Sequence, residues 1–225
     1  MRRLPVQHHA HDYDVVQAKG LQKFIQGEGS TNAHVDIMAG KGGKSIVVTS
    51  NLRRCIETVM VGLWPRFQKS EEQIIVLSDL QEASANVDTF SLSSPMGLPP
   101  LKTLPTLLDC PEDKVTSKLQ MTGNAGQKKL FESGLVRLQR FAAWCFDSPN
   151  TKAGDATIIV SGHSLFFRTL FLAYMPRGVQ HEAKKLKIVN AGAVAITLER
   201  GIVDGVTVYR IDPASVKVVY GGFGK

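Results

Sequence analysis

Short apolar runs separated by amphipathic segments recur along the chain, and this pattern predicts alternating strands and helices. Runs that are rich in β-branched residues and bounded by glycine, serine, asparagine or aspartate are typical of buried strands. Five such runs are Ser45–Ser50, Ile74–Leu77, Thr157–Val160, Val194–Leu198 and Val206–Ile211. Because they are almost continuously apolar, we expect strands that are covered on both faces, as in a parallel sheet.

Three intervening segments carry apolar residues at helical spacing. They are Leu52–Phe67, Gly126–Phe146 and Ser164–Met175, and Pro176 ends the last of them. Strands alternating with helices predict an α/β fold, a three-layer sandwich with a mostly parallel central sheet, formed by residues 1–225 as a single domain. We expect an irregular excursion at about residues 91–121, because Ser91–Asp113 is rich in serine, proline and leucine.

The composition is that of a folded protein with a basic surface. Apolar residues make up 43% of the 225 residues, which excludes a disordered chain. The 27 lysines and arginines exceed the 20 acidic residues, so the formal net charge is +7, which suggests an anionic partner. The lysine cluster at 184–187 has no interleaved aromatic residues, so we interpret it as a solvated helix face and expect no nucleic-acid binding.

The cysteines and the apolar runs indicate a cytoplasmic protein without a membrane partner. Cys55, Cys110 and Cys145 are an odd number and widely spaced, which favours a reducing compartment over a disulfide framework or a structural zinc site. No run approaches the ~20 apolar residues that cross a bilayer, and no secretory signal follows Met1. The oligomeric state stays open.

Polar residues lie where the predicted strands end, and ligands of open α/β sheets bind outside the carboxyl ends of the strands. Ser50 ends the first predicted strand, and Arg54 lies in the first turn of the helix that follows. A helix N-terminus with an arginine can bind phosphate through backbone N–H groups and a bidentate guanidinium. On its own, this motif is more often a solvated arginine pair, here Arg53 and Arg54.

The other strand ends carry three further candidates. Glu82 follows the second strand and could act as a general acid, although a lone glutamate is more often a surface carboxylate. His163 follows the third strand, where it could donate to a phosphoryl oxygen or serve as a hydrogen-bonded structural histidine. Asn190 precedes the fourth strand and could hold a loop, which we favour, or contact a substrate.

Taken in chain order, these motifs resemble the histidine phosphatase superfamily, in the branch of the phosphoglycerate mutases and fructose-2,6-bisphosphatase. The matching motifs are Ser50-x-Leu52-x-Arg54-x-x-x-Thr58, Leu80-Gln-Glu82, Ser161-Gly-His163 and Asn190-Ala-Gly192. Asp12–Gly20 also resembles, more loosely, the start of a helix in that family. Order and spacing agree over most of the chain, and the ordered set is more specific than any single motif.

The resemblance implies a phosphoglycerate mutase-like fold and phosphomonoester hydrolysis through a phosphohistidine. Arg54 would clamp the phosphate, His163 would be the second histidine that stabilises the transferring group, and Glu82 would protonate the leaving oxygen. Ser50 and Asn190 would contribute to substrate binding. Neither a metal nor a cofactor is implied, and the expected partner is a phosphorylated small molecule or a phosphoprotein.

The Arg-His-Gly motif with which the family ends its first strand has no clear counterpart here. The nearest segment is Val6–Ala10, where Gln7 would replace the arginine and His8 would be the nucleophile. Pro5 argues against a central strand at this place, because proline removes a ladder donor. Alternatively, the first strand lies upstream of Met1. We favour truncation or degeneration over a working variant, which would make the chain an inactive phosphatase.

Two other functions stay open. A non-catalytic pseudophosphatase could still bind phosphorylated ligands through Arg54 and His163. An α/β-hydrolase is less favoured, because the elbow-like segment with Ser164 as nucleophile has Phe166 in place of the final glycine. Sugar phosphates, phosphoglycerate, phosphoproteins and nucleotides are all candidate substrates.

Overall fold

Helices and strands alternate along most of the chain. The computed structural model describes residues 6–27, 32–84, 86, 89–129, 131–151 and 156–224, and for residues 6–13 it describes the backbone alone. The helices are α1 (Val6–Gln26), α2 (Ala33–Met38), α3 (Arg53–Gln68), α4 (Leu104–Leu108), α5 (Glu112–Thr116), α6 (Gly134–Asp147) and α7 (Ser164–Tyr174). Among these described helices, none is both long enough and apolar enough to span a membrane.

The strands fall into a central sheet and a set of small antiparallel pairs. They are β1 (Ser45–Ser50), β2 (Ile74–Leu77), β3 (Leu119–Gln120), β4 (Thr157–Ser161), β5 (Lys187–Ile188), β6 (Ala193–Ala195), β7 (Leu198–Val203), β8 (Val206–Ile211), β9 (Lys217–Tyr220) and β10 (Phe223–Gly224). The central sheet has the order β3-β2-β1-β4, and all of its strands are parallel. The predicted α/β architecture with a parallel central sheet is therefore confirmed.

Alternate side chains of the central sheet point into two hydrophobic clusters, one on each face. Val47 and Ile74 pack against residues of α1, α3 and α4 on one face. Val48 and Ile75 pack against residues of α6 and α7 on the other. These four side chains are at most 7% exposed, which explains why residues 46–48 of β1 and 74–77 of β2 are all apolar.

The last two predicted strands lie outside the central sheet. Val206–Ile211 is β8 as predicted, and it pairs antiparallel with β7. The prediction of one strand at Val194–Leu198 is wrong, because β6 ends at Ala195 and pairs with β9, whereas β7 begins at Leu198. The chain leaves strand geometry at Thr197, whose N–H donates to Ser215 Oγ over 2.9 Å instead of to a neighbouring strand.

Two further boundaries differ from the sequence prediction. Helix α6 begins at Gly134 rather than at Gly126, because the Ser133 hydroxyl caps it by accepting a hydrogen bond from the Leu135 N–H. The excursion at 91–121 is not wholly irregular, since it contains α4, α5 and β3. Both Leu104 and Leu108 of α4 are buried in the cluster that α3 lines.

The segment nearest to the Arg-His-Gly motif, which ends a strand in the histidine phosphatases, is helical in this structure. Val6–Ala10 forms the start of α1, so the backbone of His8 does not follow a strand. The side chain of His8 lies outside the described residues. The part of α1 that follows Asp14 packs on α3 and buries Ala18, Leu21 and Ile25.

Gly123 lies where the loop after β3 crosses the end of β2. A Cβ atom at this position would lie 2.5 Å from Leu77 Cδ2 and 2.7 Å from the carbonyl oxygen of Val76, both well inside van der Waals contact. We expect Gly123→Ala to lower the free energy of unfolding by about 2 kcal/mol, measured by urea denaturation. Gly178→Ala is the matched control, because no atom lies within 4 Å of its Cβ position. Equal stability of the two variants would contradict this account of the packing.

Candidate functional site

Three strand ends meet at one edge of the sheet and bring four of the predicted site residues together. Ser50 ends β1, Glu82 follows the short 3-10 turn after β2, and His163 follows β4 as the N-cap of α7. Arg54 lies in the first turn of α3. Parallel strands end at the same edge, which is why residues distant in sequence converge there. Together with Cys55, these residues are called the carboxyl-edge cluster below.

His163 is the centre of the carboxyl-edge cluster, and its side chain is only 3% exposed. Its Nδ1 lies 3.1 Å from Arg54 Nη2, and its Nε2 lies 3.0 Å from Ser50 Oγ. Because a guanidinium can only donate, Nδ1 accepts and the ring proton is on Nε2, which donates to Ser50 Oγ. The Leu52 N–H also donates to Ser50 Oγ, so this hydroxyl links the start of α3 to the imidazole.

The imidazole of His163 is neutral at neutral pH. Burial, with smaller contributions from the positive charges of Arg54 and Lys128, lowers the pKa of His163 to about 3. The carboxyl group of Glu82 lies 4.0 Å from Nδ1. This contact therefore joins a carboxyl group to a neutral ring and is not an ion pair.

Glu82 carries a carboxyl group whose protonated form is favoured by its surroundings. Its side chain is 12% exposed, and burial raises its pKa. The Ala83 N–H, which donates to Oε1 over 2.8 Å, and the charge of Arg54 act in the opposite direction and are outweighed. A carboxylic acid with a raised pKa can donate a proton to a leaving group.

Cys55 belongs to the cluster although the sequence pattern did not mark it as a site residue. Its Sγ donates to the carbonyl oxygen of Gly162 over 3.3 Å and lies 3.4 Å from Nε2 of His163. Burial raises the pKa of the Cys55 thiol to about 12. Only a thiolate is an effective nucleophile, so Cys55 fills space against the imidazole rather than reacting at neutral pH.

A buried network of amide groups, also missed from the sequence, fixes the ends of β1 and β2. Asn51 Nδ2 donates to Asn124 Oδ1 over 2.7 Å and to the Gly126 carbonyl over 2.9 Å. Gln81 Nε2 donates to Asn51 Oδ1 over 2.7 Å and to the same Gly126 carbonyl over 2.8 Å. Asn51 and Gln81 are fully buried next to Ser50 and Glu82, so the network holds the two site residues in place. In the sequence, only their position directly beside Ser50 and Glu82 indicates that Asn51 and Gln81 belong to the site.

Two buried cations hold the backbone at Glu82. Lys128 Nζ and Arg137 Nη2 both donate to the Glu82 carbonyl oxygen, over 2.7 Å and 3.0 Å. Lys128 Nζ also donates to Thr89 Oγ1 over 2.8 Å. Both side chains are at least nine-tenths buried. A buried charge is costly unless it is hydrogen-bonded, and the Glu82 carbonyl oxygen accepts hydrogen bonds from both cations.

Two long helices begin at the cluster without side-chain caps. The N-cap of α3 is Leu52 and that of α7 is His163, and neither side chain accepts a hydrogen bond from the first turn. Neither helix has an acidic residue in its first turn. The first N–H groups of a helix have no partner within the helix and carry the positive end of its dipole. The cluster thus combines two helix N-termini with the guanidinium of Arg54, an arrangement that attracts anions.

Asn190, the remaining substrate-binding candidate, lies beside the cluster and not in it. Its Nδ2 donates to Asp14 Oδ1 over 2.8 Å, which holds the turn before β6 against α1. A cavity of about 370 Å³ is lined by Asn190, Ser164 and Lys187. Within the described part of the chain, Asn190 has no hydrogen bond to Ser50, Arg54, Glu82 or His163.

The geometry of Ser164 does not favour the hydrolase alternative. A nucleophile elbow holds its serine in a sharp, strained turn between strand and helix. Here His163 has extended backbone angles (φ −110°, ψ 145°), and Ser164 is the first residue of α7. The non-glycine residues with positive φ in the described ranges are Met96, Asp109, Ala191 and Asp204, all distant from Ser164 in sequence.

Comparison with known proteins adds no family assignment. No protein-family model matches the chain, and a search of curated proteins also gives no match. In the part of the chain that the structure describes, no group of three or more histidine, cysteine, aspartate or glutamate side chains is arranged to hold a metal ion.

The buried neutral histidine predicts a pH-dependent stability. The pKa of His163 is about 3 in the folded chain, against the ordinary value of 6.5 for histidine. Between these two pH values the unfolded chain binds a proton at His163 and the folded chain does not. Stability therefore falls as the pH falls, with a slope that approaches ~1.4 kcal/mol per pH unit from this residue. His163→Gln should lose this slope in urea denaturation measured over the same pH range.

The raised pKa of Glu82 contributes a slope of the opposite sign, because the folded chain keeps that proton to a higher pH. This contribution is present in both proteins and cancels in the difference between them. Equal pH dependence of the wild type and His163→Gln would contradict a buried neutral ring.

The amide network predicts a large effect of an apolar substitution at Gln81. In Gln81→Leu, Asn51 Oδ1 loses the donor Gln81 Nε2, and the backbone N–H of Lys128 loses the acceptor Gln81 Oε1. We expect a loss of about 3 kcal/mol in the free energy of unfolding, measured by urea denaturation. Gln73→Leu is the control, because the Gln73 amide makes an exposed hydrogen bond, and it should cost well under 1 kcal/mol. Similar losses in the two variants would argue against the network.

Proposed function

We propose that the carboxyl-edge cluster binds the phosphate group of phosphomonoesters, in a site of the histidine phosphatase type. The observation that carries the proposal is the convergence of two uncapped helix N-termini with the guanidinium of Arg54 beside His163. Backbone N–H groups and a guanidinium are the donors from which phosphate oxygens most readily accept hydrogen bonds.

The charges around the cluster favour a dianion. Arg54 carries a positive charge, and Lys128 is close enough to influence the pKa of both His163 and Glu82. The raised pKa of Glu82 weakens the repulsion that its carboxylate would exert on a phosphate. A dianion beside His163 would raise the pKa of the imidazole, so binding would be coupled to proton uptake as the pH is lowered.

The exposure of the side chains indicates the direction from which a ligand would enter. Ser50 is fully buried and His163 nearly so, whereas Arg54 and Glu82 are both partly exposed. A phosphate would therefore meet Arg54 first, and the esterified group would lie on the side of Glu82. A phosphorylated small molecule and a phosphoprotein side chain both fit this approach.

We further propose a phosphoglycerate mutase-like fold that lacks one central strand. Support comes from β4, which pairs with β1 and forms the edge of the described sheet. Its residues Ile158, Ile159 and Val160 are only half-buried, although their sequence is as apolar as that of β1. An edge strand of this composition resembles an interior strand without its neighbour.

We also propose a cytoplasmic location for this function. Cys55, Cys110 and Cys145 are all free thiols. Free cysteines without disulfides are typical of a reducing compartment.

Hydrolysis through a phosphohistidine is the second candidate function, and the raised pKa of Glu82 favours it. A protonated Glu82 could pass its proton to the leaving oxygen. In the described cluster, however, neither His163 nor Cys55 offers a nucleophile, because both ring nitrogens of His163 are hydrogen-bonded and Cys55 is a protonated thiol. His8 is the nucleophile that the resemblance suggests. Binding without turnover is therefore the function that we propose first.

The binding proposal predicts that Arg54 dominates the affinity for phosphate. Inorganic phosphate and p-nitrophenyl phosphate should bind the wild-type protein in isothermal titration calorimetry. Arg54→Ala should weaken both affinities by about tenfold or more, because a charge-assisted, bidentate donor is lost. Arg53→Ala is the matched control, since Arg53 is 47% exposed and lies next to Glu57. Retained affinity in Arg54→Ala, with its fold checked by circular dichroism, would contradict the proposal.

Turnover separates the two candidate functions. If the chain binds without catalysis, p-nitrophenyl phosphate is bound and not hydrolysed, and His8→Ala changes nothing. Release of p-nitrophenol that His8→Ala abolishes and that Glu82→Gln slows would instead establish the phosphohistidine route.

A further inference from the structure

A second concave site lies at the opposite end of the central sheet from the carboxyl-edge cluster. A cleft of about 810 Å³ opens between α1, α3 and the loop 39–44 that leads into β1. Ser45 and Ile46, at the start of β1, line this cleft, whereas Ser50 at the end of the same strand belongs to the cluster. Five residues of extended strand separate the two ends by about 16 Å, so the two sites are distinct.

The cleft is strongly basic. Lys41, Lys44 and Lys69 line it, and the structure gives none of them an acidic partner among the described residues. A fourth cation, Arg66, is neutralised locally, because its Nε donates to Glu72 Oε2 over 2.7 Å. Glu72 is the one acidic residue in the described lining. Three lysine charges are therefore left to act on whatever enters the cleft.

Gly43 of the Lys41-Gly-Gly-Lys44 motif and Gly40, which directly precedes the motif, shape the rim of this cleft. Gly40 and Gly43 have positive φ angles of 74° and 65°. The N–H groups of Lys41 and Gly42 both donate to the carbonyl oxygen of Asp36, over 2.8 Å and 3.1 Å. The loop is thus a fixed turn that carries a lysine at each end, although its sequence is not a phosphate-binding loop.

The cleft also has an apolar wall and side-chain amides. The half-buried side chains of Ala39, Ile46 and Pro65 line it from the loop 39–44, β1 and α3. Gln26 and Asn150 add amide groups, which can both donate to and accept from the edge of a heterocycle. Ligand sites of this size are typically apolar with a few polar groups that fix orientation. A small inorganic anion would use the lysines and leave the apolar wall without a partner.

We propose that this cleft binds a mononucleotide, with its phosphates between Lys41, Lys44 and Lys69 and its base against Ala39, Ile46 and Pro65. This class of ligand combines the two properties of the lining, several negative charges and a planar body of low polarity. The site does not depend on the function proposed for the carboxyl-edge cluster.

ATP is the test ligand, titrated by calorimetry into the full chain in the absence of divalent cations. The variant Lys41→Ala/Lys44→Ala/Lys69→Ala should bind ATP about tenfold or more weakly, because several lysine–phosphate contacts are lost together. The control Lys102→Ala/Lys114→Ala/Lys217→Ala removes the same charge from exposed positions outside the cleft and should keep the wild-type affinity.

Absence of ATP binding at millimolar concentration would overturn the proposal, and so would an equal loss of affinity in the two triple-lysine variants. Inorganic tripolyphosphate tests the ligand class. An affinity equal to that of ATP would show that the base contributes nothing and would refute the assignment to mononucleotides, whereas clearly tighter binding of ATP supports it.

Discussion

A neutral imidazole buried between a guanidinium and a hydroxyl organises the carboxyl edge of this fold. The ring of His163 accepts from Arg54 on one side and donates to Ser50 on the other. These two contacts join the end of β4 to the end of β1 and the start of α3. Burial keeps the ring uncharged. Among the residues that the structure describes, Arg54 brings a positive charge into direct contact with it. The amide network of Asn51 and Gln81 joins the end of β1 to the end of β2, so the positions of Ser50 and Glu82 are fixed relative to each other.

The central sheet and the meeting of the candidate site residues at one of its edges could be predicted from the sequence for a simple physical reason. Interior strands of a parallel sheet are buried on both faces, so residues 46–48 of β1 and 74–77 of β2 are all apolar, and polar residues follow each run. Residues that follow such strands lie at one edge of the sheet, which is why Arg54, Glu82 and His163 come together.

The rest could not be predicted because it depends on contacts between distant segments. Strand β6 has three residues, too few for a periodic pattern, and the break at Thr197 depends on a hydrogen bond to Ser215. Helix α6 begins late because Ser133 caps it, and Asn190 is directed to Asp14 by α1. The roles of Gln81 and Lys128 follow from their burial, which no local pattern indicates.

The contact of Cys55 with the imidazole has a consequence for how the opening of the cluster can be observed. A buried thiol with a pKa of about 12 is protected from alkylating reagents by both its protonation and its enclosure. It becomes reactive only when α3 and the turn after β4 separate, so its modification rate reports the population of that locally opened state. The modification rate of Cys55 thus measures how often the site opens locally. A ligand that bridges the two helix N-termini would lower this rate.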